Sequence, residues 1–533
     1  MFVDNKILIG KNDTKELSLL LNKANRHGLI TGASGSGKTI TLKVMAESFS
    51  SAGVPVFLAD VKGDLAATCL PGENNENIQK RLEKINITDF SFKGFPTVFW
   101  DVFAKNGHPI RTTLENVGPT ILSRLLGLNE TQEGVLALVF KISRENGYKL
   151  IDLKDLRLLL QYVAENSKDY TVSYGNIAAQ SVGTIQRNLL MLEEQGGNYF
   201  FGEPDIQLPD LFQTNTEGLG NINILHAVEL FKQPKLYSSF LLWLLTAMNN
   251  NLPEVGDLDK PKMVFFFDEA HLLFDDLPEY IKTSVVQIVK LIRSKGVGVY
   301  FISQSPNDVP DEILAQLGNR VQHTLRAYTP AEQKVVKAVA NSYRANPAFD
   351  TEEAILNLGT GEALISFVNE AGEPTVVEKA TILPPQSQMG ALDDSMRLMI
   401  ISRSMYQGKY DTLIDNVSAF EILSEEINAK REAEEEILRQ KEEEKRLLEE
   451  QKEAEKQAKA EEKAAKEAER AEEKAKREEE RQKKADEREA EKARKNSAGY
   501  KIGKAGGRVV NSALGTIGRK IGNELIKGLF GKK

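Results

Sequence analysis

Gly32-Ala33-Ser34-Gly35-Ser36-Gly37-Lys38-Thr39 decides the fold. It follows an apolar run ending at Thr31 and precedes the helical stretch TLKVMAESF. Three glycines in six residues let a chain turn sharply and bring several backbone N–H groups onto one anion. A helix beginning at that turn points its positive end at the same anion. Strand, G-x-x-x-x-G-K-[ST] loop and helix in this order form a cradle for the phosphates of a nucleoside triphosphate, with ATP as the expected one. Lys38 is expected on the β- and γ-phosphates, and the Thr39 hydroxyl on Mg²⁺.

Outward from this loop, short runs rich in Val, Ile, Leu and Phe recur at 27–31, 54–60, 96–102, 221–226, 262–268, 297–303 and 320–327. They alternate with helical periodicity, which predicts an α/β fold with a mainly parallel sheet over residues 1–385. Between 107 and 209 the strand signal fades and an inserted helical subdomain is expected. Ligands of open α/β sheets gather at the carboxyl ends of the strands. The run Met263-Val264-Phe265-Phe266-Phe267 delivers Asp268 and Glu269 to such an end. Asp268 is placed to hold Mg²⁺ through its water shell, and Glu269 to orient or deprotonate the attacking water; the alternative for the pair is capping of the next helix. Residues 268–271 spell DEAH, but the paired-arginine motif of the helicases named for that box has no counterpart here. Instead LIRSKGVGVYFISQSP follows, ending a strand at Gln304. Gln304 is the candidate sensor of the γ-phosphate, its alternative role being to tie down the following loop. Asp60, closing the strand after the loop helix, is a further candidate to face the site.

The 533 residues and a hydrophobic fraction of 41% suffice for a sizeable core. The single cysteine, Cys69, and a start without a basic n-region and apolar h-region lead to the expectation of a cytoplasmic protein. The net charge of −8 is unevenly spread. After a connecting segment, 386–423, residues 424–495 are almost entirely Glu, Lys, Arg, Ala and Gln, with opposite charges three and four apart. A helix of roughly 105 Å follows at 1.5 Å per residue. Its apolar residues give way to Ala, so it reads as a solvated single helix or a weak coiled coil. Residues 496–533 are Gly-rich and basic. There Val510, Leu514, Ile517, Ile521 and Leu525 trace one face of an amphipathic helix suited to a membrane surface, a protein partner or the chain's own core.

The segments GASGSGKT, VFFFDEAH, LIRSKGVGV, ISQSP and QLGNRVQHTLRA, in this order, resemble the HerA-like branch of the HerA–FtsK superfamily, and in particular the bacterial YjgR-like proteins. The resemblance implies a RecA-like ATPase core and assembly into a ring, a hexamer in the wider superfamily, where several members pump double-stranded DNA. It carries nucleotide roles onto Lys38, Thr39, Asp268, Glu269 and Gln304. It also implies that Arg293, Arg320 or both reach a neighbouring subunit's nucleotide as arginine fingers. HerA proper has a β-barrel before its ATPase core, whereas here the phosphate loop lies within the first forty residues. Three functions are therefore open: a ring motor on DNA, an ATP-driven remodelling factor acting on protein partners or at a membrane surface, and an ATPase with a merely solvated tail.

Overall fold

The computed structural model describes residues 1–256, 258–274 and 279–493. The chain divides into two units, Met1–Lys430 and Arg431–Lys533.

In the first unit, strands β1 (Phe2–Val3), β2 (Lys6–Lys11), β3 (Glu16–Leu20), β4 (Gly28–Thr31), β5 (Val56–Asp60), β6 (Thr97–Asp101), β7 (His108–Pro109), β8 (Ile222–His226), β9 (Met263–Phe267), β10 (Val297–Ser303), β11 (Asn319–Gln322), β12 (Glu362–Ser366) and β13 (Glu378–Ile382) share one sheet. The order is β1-β2-β13-β12-β11-β4-β10-β9-β5-β8-β6-β7, with β3 paired to β2. From β11 to β7 every pairing is parallel. The strands on the other flank pair antiparallel. Strands β4, β5, β9 and β10 are buried along their whole length, as expected where helices cover both faces of a parallel sheet.

The helices are α1 (Lys38–Ser51), α2 (Glu76–Lys84), α3 (Leu114–Leu125), α4 (Glu130–Asn146), α5 (Leu153–Glu165), α6 (Ser167–Tyr174), α7 (Ala179–Glu194), α8 (Gly197–Phe200), α9 (Pro234–Asn251), α10 (His271–Phe274), α11 (Glu279–Ile292), α12 (Asp311–Leu314), α13 (Pro330–Asn341), α14 (Thr351–Leu356), α15 (Asp394–Ser402) and α16 (Ala419–Ala493). Successive side chains of a strand face opposite sides, and the phenylalanine run of β9 divides accordingly. Phe266 packs with Phe49 of α1 and with Tyr300. Phe265 and Phe267 join the other layer, with Phe57, Phe301, Phe240 and Trp243. Helices α3–α8 fill the stretch between β7 and β8. Asn129 and Asp152 start α4 and α5 with reciprocal side-chain caps.

Three details depart from expectation. The last parallel strand stops at Gln322 instead of continuing to Ala327, because its partner β4 ends opposite, at Thr31. The chain beyond turns over the phosphate loop, and Ala33 N–H donates to the Thr324 carbonyl at 2.8 Å. Secondly, β1–β3, β12 and β13 form an antiparallel flank that composition alone did not single out. Thirdly, the charged helix begins at Ala419, ahead of the expected 424. Phe420 N–H donates to Asp155 Oδ1 at 2.9 Å, and Ala419 and Leu423 are fully buried. The segment before it is no bare connector: Tyr406 and Tyr410 are buried against Trp100.

In the second unit the described part of α16 is exposed at every residue through Ala490. Pairs such as Lys459–Glu455 (2.6 Å), Lys476–Glu472 (2.9 Å) and Arg477–Glu473 (2.8 Å) line it at i,i+4. The amphipathic tail expected at 496–533 lies outside the described residues. Among the described residues no helix is long and apolar enough to cross a membrane.

Candidate nucleotide site

The register of the central strands brings the motif residues to one edge. Ser303 at the end of β10 lies opposite Thr31 at the end of β4, and Phe301 opposite Phe267 at the end of β9. The loop Gly32–Thr39, Asp268-Glu269 and Gln304 therefore emerge side by side at the carboxyl edge, with β10 between the other two strands.

The loop needs its glycines. Gly32 has φ 152°, and a Cβ there would meet the His323 Cβ at 2.5 Å. Gly37, at φ 114°, takes the left-handed conformation that opens α1. Ala33, Ser34, Gly35 and Ser36 form the arch between them, and Ser34 and Gly35 are exposed. The Lys38 ammonium donates to the carbonyls of Gly32 (2.5 Å) and Ala33 (3.1 Å), so it is folded into the loop. Burial holds its pKa below the ordinary lysine value. Ser36 Oγ is buried without a hydrogen-bond partner. An inward-pointing ammonium, an orphaned hydroxyl and an arch of backbone amides suit a phosphate chain. Thr39, second residue of α1 and half-buried, and the buried Asp268 are the oxygen donors suited to Mg²⁺ beside it.

Asp268 accepts the Glu269 N–H at 2.9 Å. Burial first, then the charge of Glu269, push its carboxyl up to about 6 despite the opposing pull of Lys62. Glu269 sits at φ 50°, a left-handed conformation costly for a residue with a Cβ. Its side chain is gathered by three neighbours. Lys62 Nζ lies 2.6 Å from Oε1, His271 Nδ1 lies 3.4 Å from Oε2, and the Gln304 amide is close enough to help hold the carboxyl down. Burial alone would raise the Glu269 carboxyl, but the Lys62 hydrogen bond and charge outweigh it and hold it below the usual range. The carboxylate is thus ionised, anchored and strained at the strand end.

Sequence reasoning missed Lys62 and His323. Lys62 lies two residues beyond β5, in the ADVKGD stretch that suggested Asp60. Asp60 itself turns inward, accepting the N–H groups of Gly63 (2.7 Å) and Leu65 (3.2 Å), and so shapes the loop that carries Lys62. His323 is fully buried beneath the phosphate loop, between Thr41 Oγ1 at 2.8 Å and the Glu362 carbonyl at 2.9 Å. Beside it Thr31 Oγ1 donates to Gln322 Oε1 at 2.6 Å. For His323 the signal lay in the stretch QLGNRVQHTLRA, and for Lys62 in the residues that follow Asp60.

The structure brings neither candidate arginine to its own phosphate loop. Arg293 precedes β10 and sits near His27, at the amino edge of the sheet. Arg320 is the second residue of β11. Its guanidinium donates to the carbonyls of Leu317 (3.0 Å) and Leu314 (2.9 Å) and to Ser342 Oγ (3.0 Å).

The family described as helicase HerA-like C-terminal matches residues 5–533. The chain belongs to that family. The DNA double-strand break repair helicase HerA of Sulfolobus acidocaldarius is 25% identical over 378 residues, which span 70% of this chain and 68% of that protein. The protein of the same description from Sulfurisphaera tokodaii is 22% identical over 378 residues, 68% of this chain and 67% of its own. Among solved structures, the bacterial conjugative coupling protein TrwB in an unbound form matches this HerA-like chain with a TM-score of 0.51 at 13% identity, over 74% of this chain and 92% of that one. That likeness is one of fold, and it agrees with the RecA-like P-loop core read from the sequence.

Proposed function

We propose that this HerA-like chain is an ATP-hydrolysing motor that works as a homo-oligomeric ring on double-stranded DNA. One observation carries the chemistry: Lys38, Asp268, Glu269 and Gln304 stand at the ends of three adjacent parallel strands, with Glu269 ionised and held by Lys62. Lys38 and the arch of backbone amides bind the β- and γ-phosphates. Thr39 and Asp268 would hold Mg²⁺, which would supply neutralisation of charge on the transferring group. Glu269 orients the attacking water and takes its proton, and Gln304, at the end of the neighbouring strand, senses whether the γ-phosphate is present. The arginine that completes the site comes from a neighbouring subunit. Arg293 and Arg320 are the candidates, and the guanidinium of Arg320 also makes three bonds within its own chain.

Action on DNA is supported by the family and by the description of its archaeal relatives as DNA repair helicases. It is tested by steady-state ATP turnover of the full chain with and without duplex DNA. Duplex is expected to raise turnover at least severalfold, with a steep loss of that stimulation as salt rises, because phosphate contacts release counterions. Turnover indifferent to DNA at low salt would overturn the DNA assignment and leave the ATPase standing.

A further inference from the structure

The catalytic groups all lie to one side of the phosphate loop. Strand β4 is flanked by β10 and β11; Asp268, Glu269 and Gln304 occupy the β10–β9 side. A triphosphate lying in the loop with its γ-phosphate toward them must leave the loop with its nucleoside on the opposite side, over the exit of β11. A cavity of about 450 Å³ opens there, lined by Ser34, Gly35 and Ser36 of the loop, by residues 324–328, and by Leu356 and residues 358–360. Its volume is within the range of small-molecule sites.

The cavity has fixed walls. Gly361 N–H donates to the Ser36 carbonyl at 3.0 Å, which ties the far wall to the phosphate loop. Arg81 supports the same turn from behind, donating to the carbonyls of Thr360 (3.2 Å) and Gly361 (3.2 Å). Leu325 and Leu358 are buried at its floor, while the loop serines, Thr324 and Thr360 give the lining a largely polar character. At the mouth stands Tyr328, 81% exposed, above every other large hydrophobic among the described residues. Its backbone is nonetheless fixed. Tyr328 N–H and Thr329 N–H both donate to the Glu332 carboxylate at 2.8 Å, part of the reciprocal cap that starts α13. An aromatic ring in solvent on an anchored backbone, beside a cavity rich in hydrogen-bonding groups with an exposed Arg326 on its rim, is arranged for stacking on a flat, polar heteroaromatic ligand.

We propose that this cavity is the nucleoside subsite, that the purine base of the bound nucleotide stacks on Tyr328, and that Arg326 borders the same base. The proposal rests on the phosphate-loop reading and adds to it the surface that recognises the base.

Calorimetric titration of the full chain with Mg·ATP and with Mg·tripolyphosphate separates base from phosphate binding. In Tyr328→Ala the affinity for ATP is expected to fall about tenfold, as for loss of one base–aromatic stack, with the affinity for tripolyphosphate unchanged. Tyr328→Phe is expected to restore ATP affinity. The exposure of the ring leaves the fold of these variants intact. Unchanged ATP affinity in Tyr328→Ala, or equal weakening of both ligands, would overturn the subsite. Failure of the phosphate-loop reading looks different: Lys38→Ala would then bind both ligands as tightly as the unaltered chain.

Discussion

The two sides of the phosphate loop are built on opposite plans. Toward β10 and β9, two carboxylates are buried and one is strained: Glu269, at φ 50°, lies under the exposed Lys62 with His271 near it and Asp268 beside it. Toward β11, neutral groups satisfy one another beneath the loop, as in the hydrogen bonds of His323 to Thr41 and the Glu362 carbonyl and in the Thr31–Gln322 bond. The prominent side chains there, Tyr328 and Arg326, stand in solvent. Chemistry on a phosphate requires preorganised charge held away from water, whereas support of a loop requires shape and satisfied hydrogen bonds. The difference therefore separates residues that act from residues that hold.

The largest effect that sharpens this contrast comes from Lys62, which acts on the catalytic side only through Glu269. Lys62→Gln removes a charged hydrogen bond from a strained carboxylate and is expected to lower turnover about tenfold. With the ammonium gone, burial raises the Glu269 carboxyl, so the acidic limb of the pH–rate profile moves to higher pH. Lys62→Arg is expected to keep the limb in place. An unshifted profile in Lys62→Gln would mean that Lys62 is a surface ion pair with no bearing on catalysis.

The smaller effect tests the other side. Burial pushes the His323 ring down to about 4, below its unfolded value near 6.5. A depressed folded pKa means that the neutral ring contributes stability above pH 6.5 and that this contribution is lost as pH falls toward 4. His323→Asn loses the two bonds and is expected to melt below the unaltered chain at pH 7.5, by about 1–3 kcal/mol of stability. The gap should narrow as the melts are repeated from pH 6.5 down to 4.5. A gap that stays constant would show that the ring does not remain neutral in the folded chain.

Much of this division was legible in the sequence, for physical reasons that differ from residue to residue. Buried parallel strands read as apolar runs, and VFFFDEAH and GVGVYFISQ revealed both the strand and the polar residue at its end. The phosphate loop was recognisable because only glycine meets its backbone angles. Lys62 was hidden because its partner is distant in sequence and a lysine after Val61 carries no periodic signal. The antiparallel flank was hidden because KILIGK and EALIS are short and buried on both faces, so they lack the alternation of a half-exposed strand. The true start of α16 was set by a tertiary contact, Asp155 holding Phe420 N–H, which no local pattern encodes.

The central claim is that Glu269 does the chemistry while Lys38 and its loop do the binding. It is tested most directly by Glu269→Gln, which keeps shape and hydrogen bonding but cannot take a proton. The account predicts Mg·ATP affinity within about twofold of the unaltered chain and turnover reduced by about 10² to 10⁴, the usual contribution of a general base, so that the variant retains intact ATP. Unchanged turnover in Glu269→Gln would contradict it.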